Sequence, residues 1–263
     1  MTYERLSLND ESLISSYAEN IQRYGFALEY SRGKRVLDAG CGTGYGSHFL
    51  AANGARSVLA LDISGEAITE AKDNYRLDNL RFEARDVELL GDDPALRGEF
   101  DAIVNFENLP HLLHPERLIS GVATILLQGG TLITSTPNGA ISDVDENGKP
   151  LYRFHHRVFT ANDLNSLLSP YFHRVSIYGQ WLTHEGMLRK TRARELFEQL
   201  CEAYYNPMSR VGRVIKRVAG KTVTSPPRFT AGADSFSGDY VIQPLESSAF
   251  RWAPSVLIAV CEK

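Results

Sequence analysis

Three glycines at alternate positions, Gly40, Gly42 and Gly44, punctuate the run Val36-Leu37-Asp38-Ala39-Gly40-Cys41-Gly42-Thr43-Gly44-Tyr45-Gly46. An apolar strand that runs into such a turn and then into a helix brings bare backbone close to a ligand, because glycine turns sharply and has no side chain to hold the ligand off. The spacing is G-x-G-x-G. It is neither the G-x-G-x-x-G of a dinucleotide pyrophosphate site nor a phosphate loop ending in G-K-S/T. Alone, it also fits a tight strand–helix turn with no ligand. Asp62 follows Gly40 by 22 residues, at the end of a second apolar run. A carboxylate there can accept both hydroxyls of a ribose. Asp86-Val87 follows a third run, where a carboxylate can accept from an adenine amino group while a backbone N–H meets a ring nitrogen. Each aspartate taken singly reads as a loop residue or a helix cap. At three consecutive strand ends, Asp38, Asp62 and Asp86 fall on the one sheet edge where open α/β folds bind ligands. Together they predict a nucleoside site.

A second group suits proton transfer at the same edge. An alcohol acceptor must lose a proton as it reacts, and a histidine or carboxylate can take it. His111 is the first candidate, because it follows the fourth strand. His155 and His156 follow the fifth, and Glu107 stands between the fourth strand and His111. Their ordinary readings are a packing or capping histidine, two surface-loop histidines and a loop hydrogen-bonder. Glu107, His111 and His114 have metal-ligand side chains at i, i+4 and i+7, but Pro110 interrupts them and the rest of a site is missing, so no metal is expected. Cys41, Cys201 and Cys261 are odd in number and scattered. They offer no disulfide framework and no zinc spacing, which fits a reducing cytoplasm.

These residues need a scaffold, and the hydrophobic pattern supplies one. Residues 8–30 have helical spacing, with Leu13, Ile14, Tyr17, Ile21 and Tyr24 apolar. Strands are expected at Arg35–Ala39, Ser57–Leu61, Leu80–Ala84, Phe100–Phe106, Gly130–Ser135, Tyr171–Tyr178 and Ser255–Cys261. Helices are expected between them: one closing at Phe49–Asn53, then Gly65–Leu77, Pro115–Leu127 and Thr160–Leu168. The last opens on a Thr N-cap with Asp163 three residues on. Strands alternating with helices imply βαβ units and a parallel sheet.

The runs VLDAGCGTGYGS, LALDIS, ARDV, FDAIVNFENLPH and GGTLITSTPN, in this order, resemble the class I S-adenosylmethionine-dependent methyltransferases. The resemblance covers about residues 20–180 and a final strand. Arg23-Tyr24, CGTGYGS, the Phe-Glu and His of FENLPH, STPN, RVFTANDLNSLL and YGQ look like a bacterial subgroup associated with sugar and polysaccharide O-methylation. Members of that subgroup carry an acid before the histidine; here Pro110 precedes His111. The resemblance implies a Rossmann-like α/β fold, with a seven-stranded, mostly parallel sheet, an antiparallel last strand between strands five and six, and helices on both faces. It implies S-adenosylmethionine as cofactor. Gly40, Gly42 and Gly44 would then pass under its amino-acid end, with Asp38 beneath. Asp62 would bind the ribose and Ile63 pack on the adenine. Asp86 and Val87 would take the adenine edge. Asn105 and Phe106 would line the methionine and sulfonium, and Tyr24 would close over the carboxylate.

The expected organisation is an N-terminal helical segment at 1–30 closing the cofactor site, a core of 31–181 plus 254–263, and an inserted substrate cap at 182–253. The start of the chain is polar and acidic, unlike a signal peptide, and no stretch of 18 apolar residues exists. The chain of 263 residues has a formal charge of −4, which speaks against a dedicated nucleic-acid binder. Residues Arg189 to Arg228 nevertheless sum to +7, leaving −11 for the rest. Within that block Val211, Val214, Ile215 and Val218 form an apolar helical stripe, with Arg213, Lys216 and Arg217 off it. Two readings stand: an ordinary cap helix, or a basic segment that meets a phosphorylated or lipid-linked acceptor or an anionic membrane surface. The functional expectation is methylation of a small hydroxylated acceptor, a sugar or glycan. The alternatives are a non-catalytic S-adenosylmethionine-binding protein, or a nucleic-acid or protein methyltransferase. Base-amine methylation loses support, because the turn after strand four is Asn105-Phe106-Glu107-Asn108 rather than Asn/Asp-Pro-Pro-aromatic.

Overall fold

The structure, a computed structural model, describes residues 12–183, 240–247 and 253–263, with side chains from Glu19 onward. Helix α1 (Ser12–Ser31) precedes strand β1 (Arg35–Ala39). Then come α2 (Tyr45–Ala52), β2 (Ser57–Asp62), α3 (Gly65–Asn74), β3 (Leu80–Ala84), β4 (Phe100–Asn105), α4 (Pro115–Ile125), β5 (Leu126–Pro137), α5 (Ala161–Leu168), β6 (Arg174–Leu182), β7 (Tyr240–Pro244) and β8 (Val256–Glu262). They form one sheet of order β3-β2-β1-β4-β5-β8-β6-β7. The first five strands are parallel; β8 runs antiparallel to both β5 and β6. The chain winds outward from β1 to β3, then returns to lay β4 on the other side of β1. Strand order therefore reverses between β1 and β4, and the ends of these two strands open the crevice where such sheets take ligands.

The period of two within the strands builds a core on each face. Val36, Val58, Ala60, Val104, Ile258 and Val260 meet Ile21, Tyr24, Leu28, Leu50 and Ile68 of α1, α2 and α3. Leu37, Leu61, Ile103, Leu257, Ala259 and Cys261 meet Leu118, Ile119, Val122, Leu164 and Leu168 of α4 and α5. Neighbouring residues of one strand thus serve opposite layers, as a pleated strand buried on both faces requires. Helix α5 has a full capping box: the Thr160 hydroxyl accepts from the Asp163 N–H, and the Asp163 carboxylate accepts from the Thr160 N–H at 2.9 Å.

The Rossmann-like fold, the helices on both faces and the antiparallel last strand between strands five and six are as expected; the strand count of seven is corrected to eight among the described residues. The additional strand, β7, lies inside the segment read as a cap and pairs antiparallel with the outer edge of β6, from Leu182↔Tyr240 to Tyr178↔Pro244. Its sequence, YVIQP, lies on an edge and offers only three apolar residues before Gln243 and Pro244, a run too short to announce it. The basic block Arg189–Arg228 and the stripe Val211, Val214, Ile215 and Val218 lie outside the described residues. Among the described residues, no helix is long and apolar enough to cross a membrane.

Candidate active site

The glycine turn joins β1 to α2 at the strand-order reversal. Gly40, Gly42 and Gly44 all have positive φ, at 88°, 53° and 83°. A Cβ at Gly44 would lie 2.5 Å from the Phe82 ring and 2.8 Å from Ala71, so this glycine is required by packing. Nothing lies within 4 Å of a Cβ placed on Gly42, whose bare α-carbon faces open space.

Asp62, at the end of β2, is bound into the turn. One carboxylate oxygen accepts from the Gly42 N–H at 2.9 Å and the other from the Ser64 N–H at 2.8 Å. A carboxylate has about four lone-pair sites, so two remain for ligand hydroxyls. Ile63, beside it, is 54% exposed. Asp86 caps the short turn Val87–Asp92 by accepting from the Glu88 N–H at 2.9 Å, while Val87 is buried.

Asp38 is fully buried under the turn. Its Oδ2 accepts from the Ser47 hydroxyl at 2.6 Å and the Tyr24 hydroxyl at 3.1 Å. Burial raises its pKa to about 6, against the two hydroxyl donors. Burial, then the Asp38 charge, pushes the Tyr24 phenol well above its ordinary value, so Tyr24 remains a donor. Its ring stands edge-on to Phe106, with centroids 5.0 Å apart, and α1 is thereby clamped to the crevice.

The end of β4 is held by hydrogen bonds of its own. The Asn105 side chain is fully buried; its amide donates to the Ala39 carbonyl and its oxygen accepts from the Thr134 hydroxyl. It ties β1 to β5 across the end of β4, satisfying a strand-end carbonyl beside the turn. Phe106 is buried with 7% exposure.

Past β4, the candidate bases gather. His111 Nδ1 lies 3.0 Å from the Phe154 carbonyl oxygen. A carbonyl only accepts, so Nδ1 carries the proton, and in the neutral imidazole Nε2 is the acceptor. The His155 ring stands edge-on to it, with centroids 4.8 Å apart. His156 joins through its backbone, donating to the Pro110 carbonyl at 2.7 Å, and its side chain is exposed. Glu107 has φ 53°, the one positive value outside glycine among the described residues. The Ser135 hydroxyl donates to its carboxylate at 2.7 Å, and the buried Arg23 guanidinium stands 3.9 Å away. Such a backbone costs about 1–3 kcal/mol and persists only where surroundings enforce it.

Ser47, Asn108, Ser135 and Gln180 were not singled out from the sequence. Gln180 is fully buried and accepts from Arg23 at 2.5 Å. The YGQ run contains it, but its partner is 157 residues away.

The family model described as a methyltransferase domain matches residues 30–198. A Mycobacterium tuberculosis protein named "probable S-adenosylmethionine-dependent methyltransferase" is 35% identical over 133 residues, 51% of this chain and 46% of the relative. A ubiquinone biosynthesis O-methyltransferase of Coxiella burnetii is 38% identical over 109 residues, 41% of this chain and 45% of the relative. These matches span about half the length of the curated relatives. A solved S-adenosylmethionine-dependent methyltransferase from Mesorhizobium loti superposes with a TM-score of 0.56 at 18% identity, covering 95% of this chain and all of that one, a likeness of fold. With its domain match and its glycine turn flanked by strand-end acids, the chain belongs to the S-adenosylmethionine-dependent methyltransferase domain family.

Proposed function

We propose that the protein transfers a methyl group from S-adenosylmethionine to a hydroxyl of a small polyhydroxylated acceptor, a sugar or glycan, with His111 as general base. The observation that carries this reading is the His111 tautomer fixed by Phe154, at the strand edge shared with the glycine turn. The residues present fit the cofactor: a cradle open above Gly42, a ribose-type carboxylate at Asp62, an exposed apolar platform at Ile63 and a buried anion at Asp38. Asp86 and Val87 stand at the next strand end and suit the adenine edge. When bound, S-adenosylmethionine supplies an electrophilic methyl on a sulfonium. The chain's part is to hold the acceptor hydroxyl in line and accept its proton. Positioning alone can supply much of the acceleration. His111 Nε2 takes the proton, His155 supports its ring, and Glu107 orients the acceptor hydroxyls. The name of the Coxiella relative supports oxygen as the methylated atom. The positive charge of Arg189–Arg228 supports an anionic group on the acceptor, phosphorylated or lipid-linked. The free thiols Cys41 and Cys261 support a reducing, cytoplasmic setting.

The test is transfer of isotopically labelled methyl to a panel of sugars, nucleotide sugars, phenols and amines, with products identified by mass spectrometry. Methyl ethers on sugar hydroxyls are expected. Transfer confined to phenols or amines overturns the acceptor class, and no transfer in a single turnover favours a binding protein.

Two glycine variants separate folding from ligand space. Gly44→Ala is expected to destabilise the fold by about 2–4 kcal/mol, from overpacking against Phe82 and a left-handed backbone. Gly42→Ala costs about 1 kcal/mol by the same backbone argument. Its methyl nonetheless enters the cradle and should abolish S-adenosylhomocysteine binding measured by calorimetry. Full affinity in a folded Gly42→Ala protein would move the ligand elsewhere.

A further inference from the structure

We propose that Asn108, resting on the cofactor reading above, is a binding residue for the amino-acid end of S-adenosylmethionine. Its side chain lies against Gly40: a Cβ on that glycine would come within 2.8 Å of Asn108 Cγ and 3.0 Å of Nδ2. The Nδ2 group is buried and has no hydrogen-bond partner among the described residues. A buried amide donor without an acceptor is a standing cost to a fold. Nothing in the local backbone requires it. The Asn108 carbonyl accepts from the His111 N–H at 3.0 Å, which any residue would provide, and the Asn108 side chain gives the short turn Leu109–His111 no cap.

The position explains the expense. Asn108 and Asp38 flank the same glycine turn, one presenting a neutral donor and the other a buried acceptor. The amino-acid end of the cofactor carries one carboxylate and one ammonium. Asp38 suits the ammonium, and an amide N–H₂ suits the carboxylate. Asn108 as a residue is half-buried, with its amide against Gly40 of the turn. A ligand carboxylate seated beside Gly40 would meet the unpartnered N–H₂ where it stands. The amide thus recovers in the complex the hydrogen bond it lacks alone.

The test compares two ligands sharing a nucleoside and a thioether. S-adenosylhomocysteine has the amino-acid end, and 5′-methylthioadenosine does not. Calorimetric titration of Asn108→Leu, close in shape but without a donor, should show affinity for S-adenosylhomocysteine reduced about tenfold to a hundredfold, the range for a hydrogen bond to a charged group. Affinity for 5′-methylthioadenosine should stay within about twofold by the same reasoning. Asn108→Asp, which sets a carboxylate against a carboxylate, should lose at least as much. The melting temperature of ligand-free Asn108→Leu should equal or exceed the parent's, since an unsatisfied donor is removed. Equal loss for both ligands, unchanged S-adenosylhomocysteine affinity, or a lowered ligand-free melting temperature overturns the assignment. Failure of the parent protein to bind S-adenosylhomocysteine overturns the cofactor reading, and the assignment with it.

Discussion

Replacing His111 with asparagine lowers turnover by about 10²–10⁴-fold, the usual worth of a positioned general base, and leaves S-adenosylhomocysteine affinity intact. Asparagine is the informative variant. Its side-chain N–H₂ can still donate to the Phe154 carbonyl, which now receives the His111 Nδ1 proton at 3.0 Å. The loop between β5 and α5 therefore keeps its tie to the end of β4, and only the lone pair on Nε2 is lost. A structural role for the histidine would spare the rate in this variant and lower it in His111→Leu. Turnover within a few-fold of the parent in both would pass the proton to Glu107 or His155, or leave positioning as the whole of catalysis. Cofactor binding by all the variants keeps the comparison on the acceptor side.

The parts of this site legible in the sequence are those fixed by local physics. Strand β1 ends where its apolar run meets Gly40, β3 begins and ends where its alternating Leu80 and Phe82 place it, and Thr160 with Asp163 announces the start of α5. The acids at three strand ends share an edge because parallel strands all present the same end there. What the sequence conceals is which distant group a polar side chain chooses. Asn105 stands where a ligand-lining residue is expected, and its amide donates to the Ala39 carbonyl, 66 residues back. Gln180 reads as a strand residue, and only the packing of α1 on the sheet brings Arg23 to it. Gly130 reads as the start of a strand, whereas β5 begins earlier, at Leu126, and carries an irregular register across from Phe100 and Ala102. Edge strand β7 escapes because its apolar residues are three, Tyr240 to Ile242, before Gln243 and Pro244 end it.

Asp38→Asn should weaken S-adenosylhomocysteine binding while stabilising the ligand-free protein at neutral pH. The carboxylate sits fully buried, and desolvation raises its pKa from 3.8 to about 6 in spite of hydrogen bonds from Ser47 and Tyr24. The folded state then holds the proton more tightly than the unfolded chain. The stability that Asp38 contributes is fully present below pH 3.8 and is lost as pH rises through about 6. Above that, the ionised group costs the fold about 3 kcal/mol, each pKa unit being 1.36 kcal/mol. Asparagine removes the ionisation and keeps a carbonyl oxygen for the two hydroxyl donors. The gap in melting temperature between Asp38→Asn and parent should therefore open between pH 4 and 7 and be small below it. Ligand binding runs the other way, because the cofactor's ammonium favours the ionised carboxylate. Parent affinity for S-adenosylhomocysteine should rise as pH passes through about 6, and the Asp38→Asn profile should be flat there. A buried charge kept at a cost to the ligand-free fold and repaid on binding is the signature of a site selected for its ligand. Thermal melts and calorimetry across that range decide it: a less stable Asp38→Asn protein at neutral pH, with the parent's pH profile of binding, would make Asp38 a structural anchor for Tyr24 and Ser47 alone.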